Sequence, residues 1–245
     1  EDVGTRRKKL ADISRKGHRD PEGNYCGGEG GAGAESDGKL YARSKKRGSV
    51  TDVLTAFVAH GASEDILIDA HPHIGSNRLP ASIASRRESI RERGGEVYFG
   101  SKVTELLLDG DSAQGVLLED GRRIEGDAVI LATGHGARDV YEMLHRKGVD
   151  IEAKGLAIGV RLEHPQEVID RIQYHDPKGR GEYLPAAEYQ FVTQVDGRGV
   201  YSFCMCPGGV IVPAATERDG LVVNGMSAAG RSGRWANSAM VVGIT

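Results

Sequence analysis

Cys204 and Cys206 stand two residues apart in Phe203-Cys-Met-Cys-Pro-Gly-Gly209. A thiol pair can carry redox chemistry once one sulfur is ionised, which makes Cys206 a candidate catalytic residue. One thiol could reach a bound ligand while the other packs inside. Two inert core cysteines are the alternative, since free cysteine is among the most buried residue types. His71 and His73 flank Pro72, but without further ligand-spaced partners they fall short of a metal site, and no metal is expected. They read as substrate contacts or hydrogen-bonded loop histidines. His135 directly follows Ala132, Thr133 and Gly134. Titrating near neutrality, it is the second catalytic candidate, for proton transfer, with a structural role equally open. Arg161, Tyr183, Gln194 and Arg231 are candidates to line a substrate pocket.

Main-chain groups offer further chemistry. In Gly28-Glu-Gly30-Gly-Ala-Gly33, successive glycines can form a nest of N–H groups suited to a phosphate or an anionic ring. Gly30, Gly31, Ala32 and Gly33 are therefore candidate ligand contacts, and Ser36, Asp37, Gly38 and Lys39 follow at once; a flexible surface loop is the alternative. The spacing matches a dinucleotide fingerprint, and Asp52 follows at a suitable distance. That reading fails, because Asp20-Pro-Glu-Gly-Asn24 stands where a hydrophobic strand is required. Asp127-Ala-Val-Ile-Leu-Ala-Thr-Gly134 predicts something different: a strand covered on both faces in a parallel sheet, ending in a turn of little bulk. Ligands of open α/β sheets bind beyond such carboxyl ends.

The elements that must position these residues follow from spacing and stop signals. Residues 2–20 read as charged and mildly helical, 21–40 as loop. Helices are expected over 50–62, stopped by Gly61, and over 80–93, with Pro80 at the start and Gly94-Gly95 at the end. Strands follow at 96–99, 103–108 and 114–118, then around Ile124, with turns at Asp109-Gly110 and Asp120-Gly121. A helix over 140–147 ends at Gly148. Beyond a boundary near 154, strands dominate at 156–162, 189–194, 200–206, 210–212, 221–223 and 240–244. One helix at 166–172 interrupts them, and turns fall at Asp196-Gly197 and Asp219-Gly220. The expected class is mixed α/β, with a β-meander in the first half and an antiparallel sheet in the second.

Composition narrows the function classes. The 35 glycines among 245 residues are roughly twice the usual ~7% share and follow no collagen-like period. A net charge of −3 argues against a dedicated nucleic-acid binder, and Lys45-Lys-Arg47 reads as a solvated helix start. No apolar run reaches membrane-spanning length. Three cysteines, an odd number, point to a reducing, cytoplasmic compartment rather than a disulfide scaffold.

Several strings resemble the FAD-dependent dehydrogenases of the two-dinucleotide-binding-domain flavoproteins. They are Asn24-Tyr-Cys-Gly-Gly-Glu-Gly-Gly-Ala-Gly33, Ser36-Asp-Gly-Lys-Leu40, Asp69-Ala-His-Pro-His-Ile-Gly75, residues 127–135, Gly181-Glu-Tyr-Leu-Pro185, residues 203–209 and Asn224-Gly-Met-Ser227. The resemblance implies an FAD-dependent oxidoreductase acting on a small molecule, with NADH or NADPH as a candidate electron donor. Residues 1–154 would be a partial Rossmann-like FAD-binding domain and 155–245 a partial substrate domain. Gly30 to Gly33 and Ser36 to Lys39 would lie along the pyrophosphate and flavin. The Val103 backbone would face the adenine, and Ala132, Thr133 and Gly134 would pass close to the cofactor. Against the family pattern the sequence starts after the amino-terminal strand–glycine loop–helix unit and stops before the carboxyl-terminal segment. An internal fragment, inactive alone, is therefore expected. A non-catalytic nucleotide-binding module and a thiol-dependent redox protein are the alternatives.

Overall fold

The computed structural model describes residues 1–16, 23–41, 48–217 and 220–244. The basic run at 45–47 and the turn at Asp219 lie outside the described residues. The first helix, α1 (Val3–Lys16), covers the described part of the charged segment. Ser49 caps α2 (Val50–Val58) by accepting from the Asp52 amide, and a left-handed Gly61 closes the turn beyond it. Pro80 opens α3 (Leu79–Glu92), and Gly94 and Gly95 return their amides to Arg91 and Ile90. A first apolar core joins these helices: Ala62, Ile66, Ile74 and Leu79, flanked by Leu54, Phe57, Val58 and Ile83.

The meander forms as expected. β1 (Val103–Asp109), β2 (Ser112–Leu118) and β3 (Arg123–Glu125) pair antiparallel in that order, with left-handed Gly110 and Gly121 in the two turns. Residues 96–99 are irregular rather than a strand. The larger correction concerns 127–134. This segment is irregular and mostly exposed, with Ile130 91% accessible, so the expected buried strand is absent. An apolar run signals a tendency to be buried, but a strand also needs a neighbour for its backbone groups. Every strand pair among the described residues is antiparallel, and none includes this segment.

After α4 (Arg138–Arg146), a second sheet takes over. β4 (Leu156–Pro165) runs into α5 (Gln166–Tyr174), followed by β5 (Val192–Val195) and β6 (Arg198–Cys206). β7 (Val210–Pro213), β8 (Val223–Met226) and β9 (Trp235–Ile244) complete the order. The four-stranded sheet is antiparallel in the order β4-β9-β6-β5, and β7 and β8 form a separate hairpin. Asp196-Gly197 makes the β5–β6 turn. A second core, Ile169, Ala187, Met205 and Ala236, seats α5 on this sheet. The architecture is mixed α/β, as composition and patterning indicate.

Candidate functional site

The glycine loop is held from beneath by α1. Arg6, fully buried, donates to the carbonyls of Glu29 (2.6 Å) and Tyr25 (3.0 Å), and Glu29 accepts from the Val3 amide and from Arg87. A side chain at left-handed Gly28 would run into Arg6. Gly30, left-handed with φ +79°, caps a short 3-10 helix, Gly31–Glu35, and a Cβ there would lie 2.6 Å from Ile83 Cδ1. Gly30 is thus required by packing against α3. Gly31 and Gly33 differ. A Cβ on Gly31 meets only the Cys26 carbonyl at 3.8 Å, and on Gly33 nothing within 4 Å. Their backbone presents an open face beside half-buried Ala32.

Just after this helix the chain turns inward. Ser36 bonds back to the Gly33 carbonyl and accepts from the Gly38 amide, which steers Asp37 into the interior. Residues 37–40 then pair with 72–75: Leu40 N donates to Pro72 O, Ile74 N to Gly38 O and Gly75 N to Asp37 O. Two strings conspicuous in sequence are therefore neighbours in space. The second continues to 227–231, through Ser76 N to Ser227 O (3.0 Å), Ala229 N to Asn77 Oδ1 (2.9 Å) and a His73 Nε2–Ala229 O contact (3.1 Å). His71 pairs with Glu188, so both histidines are engaged in the loop.

At the centre of this stack Arg231 donates to Asp37 at 3.0 Å; Asp37 is 1% exposed and Arg231 12%. Lys39 lies 3.8 Å from the same carboxylate oxygen, and Glu188 3.6 Å from Arg231. Against this pair stands the end of β6. The strand bulges there: Phe203 pairs with Ala239 but Cys206 with Asn237, and Cys204 takes φ +51°. A non-glycine residue in that region costs on the order of 1–3 kcal/mol and marks a place where the surroundings over-determine the backbone. Arg161 of β4 donates to the Cys204 carbonyl (3.1 Å) and to Asn237 Oδ1 (2.6 Å). Cys206 is fully buried and Cys204 partly so. Gly225 faces this group, and a Cβ there would overlap Arg161 and Asn237 and lie 2.9 Å from Cys206 Sγ. The Cys206 thiol donates to the Cys204 carbonyl (3.4 Å). The neighbouring Cys206 thiol, with positive charge from Lys39 and Arg161, lowers the Cys204 thiol, while Cys204 and burial raise Cys206.

Four buried polar atoms around this centre lack a partner: Asp37 Oδ1, Arg231 Nε, Ser227 Oγ and Asn237 Nδ2. Native structures rarely leave such groups unsatisfied, so their convergence points to a ligand with a polar edge, or to bound water. Nearby, Tyr25 donates to Glu35 O and accepts from Asn224 Nδ2 (2.8 Å); burial pushes its hydroxyl up to about 12. Tyr25 and Glu35 line a cavity of about 240 Å³ with Leu10, Val212 and Met226. Burial also raises the Glu35 carboxyl.

Other predicted residues lie elsewhere. Ala132, Thr133, Gly134 and His135 are exposed, though Gly136 packs so closely on Cys26 and Thr216 that a Cβ would meet both at 3.2 Å. That contact sets the turn beside the start of the glycine loop. Val103 opens β1, paired with Leu118 and partly exposed. Of the four pocket candidates, Arg161 and Arg231 enter the cluster, while Tyr183 is 91% accessible and Gln194 lies exposed on β5. Sequence reasoning missed Ser227 and Asn237 as site residues. Polar Asn237-Ser238 inside an otherwise apolar strand was the available signal. Among the described residues, no helix is long and apolar enough to cross a membrane.

Open glycine backbone at 31–33 and a cationic cluster with orphaned polar atoms fit a phosphate-bearing cofactor with a polar ring. Comparison with known proteins agrees. Residues 155–245 match the family "FAD-dependent protein, C-terminal domain-like". A Clostridium beijerinckii protein named only as uncharacterized is 42% identical over 247 aligned residues, taking in all of this chain and 46% of its own. A Methylomonas 4,4'-diapophytoene desaturase (4,4'-diapolycopene-forming) is 36% identical over 61 residues, 25% of this chain and 11% of that one. The chain thus spans less than half the length of either relative. Residues 17–147, more than half of the chain, match the family described as flavin containing amine oxidoreductase, and to that flavin-dependent family the chain belongs.

Proposed function

We propose that the whole protein is an FAD-dependent dehydrogenase that takes a hydride or electron pair from a small molecule. The observation that carries this reading is the pairing of open backbone at Gly31–Gly33 with the orphaned polar atoms beside Asp37 and Arg231. Bound FAD would supply the two-electron chemistry of the dehydrogenation. Gly31, Ala32 and Gly33 would hold its phosphates, with Ser36 fixing the loop. Lys39, Arg231, Ser227 and Asn237 would meet polar groups of the ring, and the Asp37 carboxylate keeps Arg231 in place. On this reading 1–154 forms part of the cofactor domain, with the Val103 backbone facing the adenine and Ala132–Gly134 passing close to the cofactor. Residues 155–245 form part of the substrate side. His135, exposed in its turn, is given no catalytic step.

The test is the visible spectrum of the full-length protein, followed by anaerobic addition of NADH, NADPH and a panel of small reductants. Flavin bands that bleach with one of them support the reading. A colourless protein that takes up no added FAD defeats it, and bands that no donor bleaches leave a nucleotide-binding module instead.

A further inference from the structure

We propose that the cavity between α1 and the β7–β8 hairpin is a binding site for a compact uncharged alcohol, whose hydroxyl meets the Glu35 carboxyl. This inference stands apart from the flavin reading, since it draws nothing from the cluster at Asp37 and Arg231. Three observations carry it. The first is the carboxyl: Glu35 lines the cavity, is only 8% exposed, and leaves Oε1 buried without a hydrogen-bond partner. The second is the wall. Leu10 and Ile13 of α1, Val212 of β7 and Met226 of β8 make it largely apolar, the balance usual in small-molecule pockets. Tyr25 also lines it, but its hydroxyl is already engaged with the Glu35 carbonyl and Asn224. The third is size. An apolar cavity of roughly 150 Å³ takes benzene, so about 240 Å³ suits one six-membered ring bearing a hydroxymethyl group.

Charge and hydrogen bonding select the ligand class. Water would bond the carboxyl but leave the hydrocarbon wall wet, where an organic ligand covers it. A pure hydrocarbon would leave the buried carboxyl unsatisfied. A cation would meet the positive charge of Arg6 and Arg7, which both act on Glu35, and an anion would meet Glu35 itself. An alcohol avoids all of these costs. Its hydroxyl donates to an ionised carboxyl and accepts from a protonated one, and burial shifts Glu35 toward the second form.

The full-length protein, as purified, is titrated calorimetrically with benzyl alcohol, toluene, benzylamine and benzoate. Benzyl alcohol should bind, and the other three should bind at least about tenfold more weakly. Ala11→Phe adds a ring to the cavity wall from the exposed face of α1, so it should weaken benzyl alcohol by a similar factor without disturbing the core. Glu35→Leu should abolish the preference for benzyl alcohol over toluene, and Glu35→Gln, which can still donate and accept, should keep it. Circular dichroism establishes that each variant is folded, and the surface position of Ala11 keeps the test decisive if Glu35→Leu fails to fold. Toluene or benzylamine binding as tightly as benzyl alcohol would overturn the proposal. So would wild-type affinity in Ala11→Phe, or no heat of binding at millimolar benzyl alcohol. None of these outcomes depends on whether the protein carries flavin, so failure here and failure of the flavin reading are told apart by the visible spectrum.

Discussion

Replacing Arg231 with methionine tests whether the Asp37–Arg231 pair organises the site. The two side chains are 1% and 12% exposed and meet at 3.0 Å, so Arg231→Met leaves a carboxylate inside the protein without its main partner. Stripping one member from a buried pair costs about 3–5 kcal/mol. Lys39, 3.8 Å from the same oxygen, and the partial exposure of Arg231 set the expectation at the low end, about 3 kcal/mol. At roughly 2–4 °C per kcal/mol for a chain of this size, the melting temperature should fall by about 6–12 °C. Differential scanning calorimetry on the FAD-loaded full-length protein measures this, and flavin retained after gel filtration gives a second readout. Asp37→Asn removes the orphaned charge, so the double variant should recover at least about 1 kcal/mol relative to the sum of the singles. A loss below about 2 °C in Arg231→Met, or strict additivity, would refute a coupled buried pair.

Three further outcomes follow from the same geometry. Gly33→Ala should leave stability within about 0.5 kcal/mol, since its Cβ meets nothing, yet weaken FAD binding in a titration of the apoprotein; unchanged affinity removes that backbone from the site. Gly75→Ala is the structural contrast: φ is +90° and the new methyl would lie 2.8 Å from Ala229 Cβ, so about 3 kcal/mol should be lost in chemical denaturation whether or not flavin is bound. Glu35 should make stability fall as pH rises. Its folded-state carboxyl is raised above the ordinary value, so the folded form holds the proton more tightly, and this contribution is full below the ordinary glutamate range and lost through the folded value. Glu35→Gln should therefore flatten the pH dependence above about pH 4 and raise stability at neutral pH; an unchanged profile would exclude Glu35 as its source.

What could be read in advance divides along a physical line. The helices α2, α3, α4 and α5 were legible because their signals are local: helical spacing, Pro80 at a start, Gly61, Gly94 or Gly148 at a stop. The meander was legible for the same reason, its two Asp-Gly turns fixing the pairing. Residues 127–134 were misread because burial and strand formation need a partner that no local pattern supplies. In the site, the glycine loop, Lys39, Arg161 and the cysteines were conspicuous, but their arrangement was not. Asp37 meets Arg231 across 194 positions and Tyr25 meets Asn224 across 199, and neither pairing leaves a local trace.

The four orphaned atoms bear most directly on why this centre needs an occupant. Leaving a buried donor or acceptor unsatisfied costs about 1–3 kcal/mol, so Asp37 Oδ1, Arg231 Nε, Ser227 Oγ and Asn237 Nδ2 each favour a ligand or water that meets them. A sequence could remove part of that cost with Ala at 227, yet polar groups stand at 227 and 237, packed closely against Gly209 and Gly225. Water alone would discharge part of the cost without distinguishing one ligand from another. A cofactor that satisfies the same atoms would couple its binding to stability: FAD at a hundredfold excess over its dissociation constant should add about 2.7 kcal/mol. Ser227→Ala would then stabilise the apoprotein while narrowing the gain on adding FAD. If that variant kept the wild-type gain, the orphaned hydroxyl would be serving water alone.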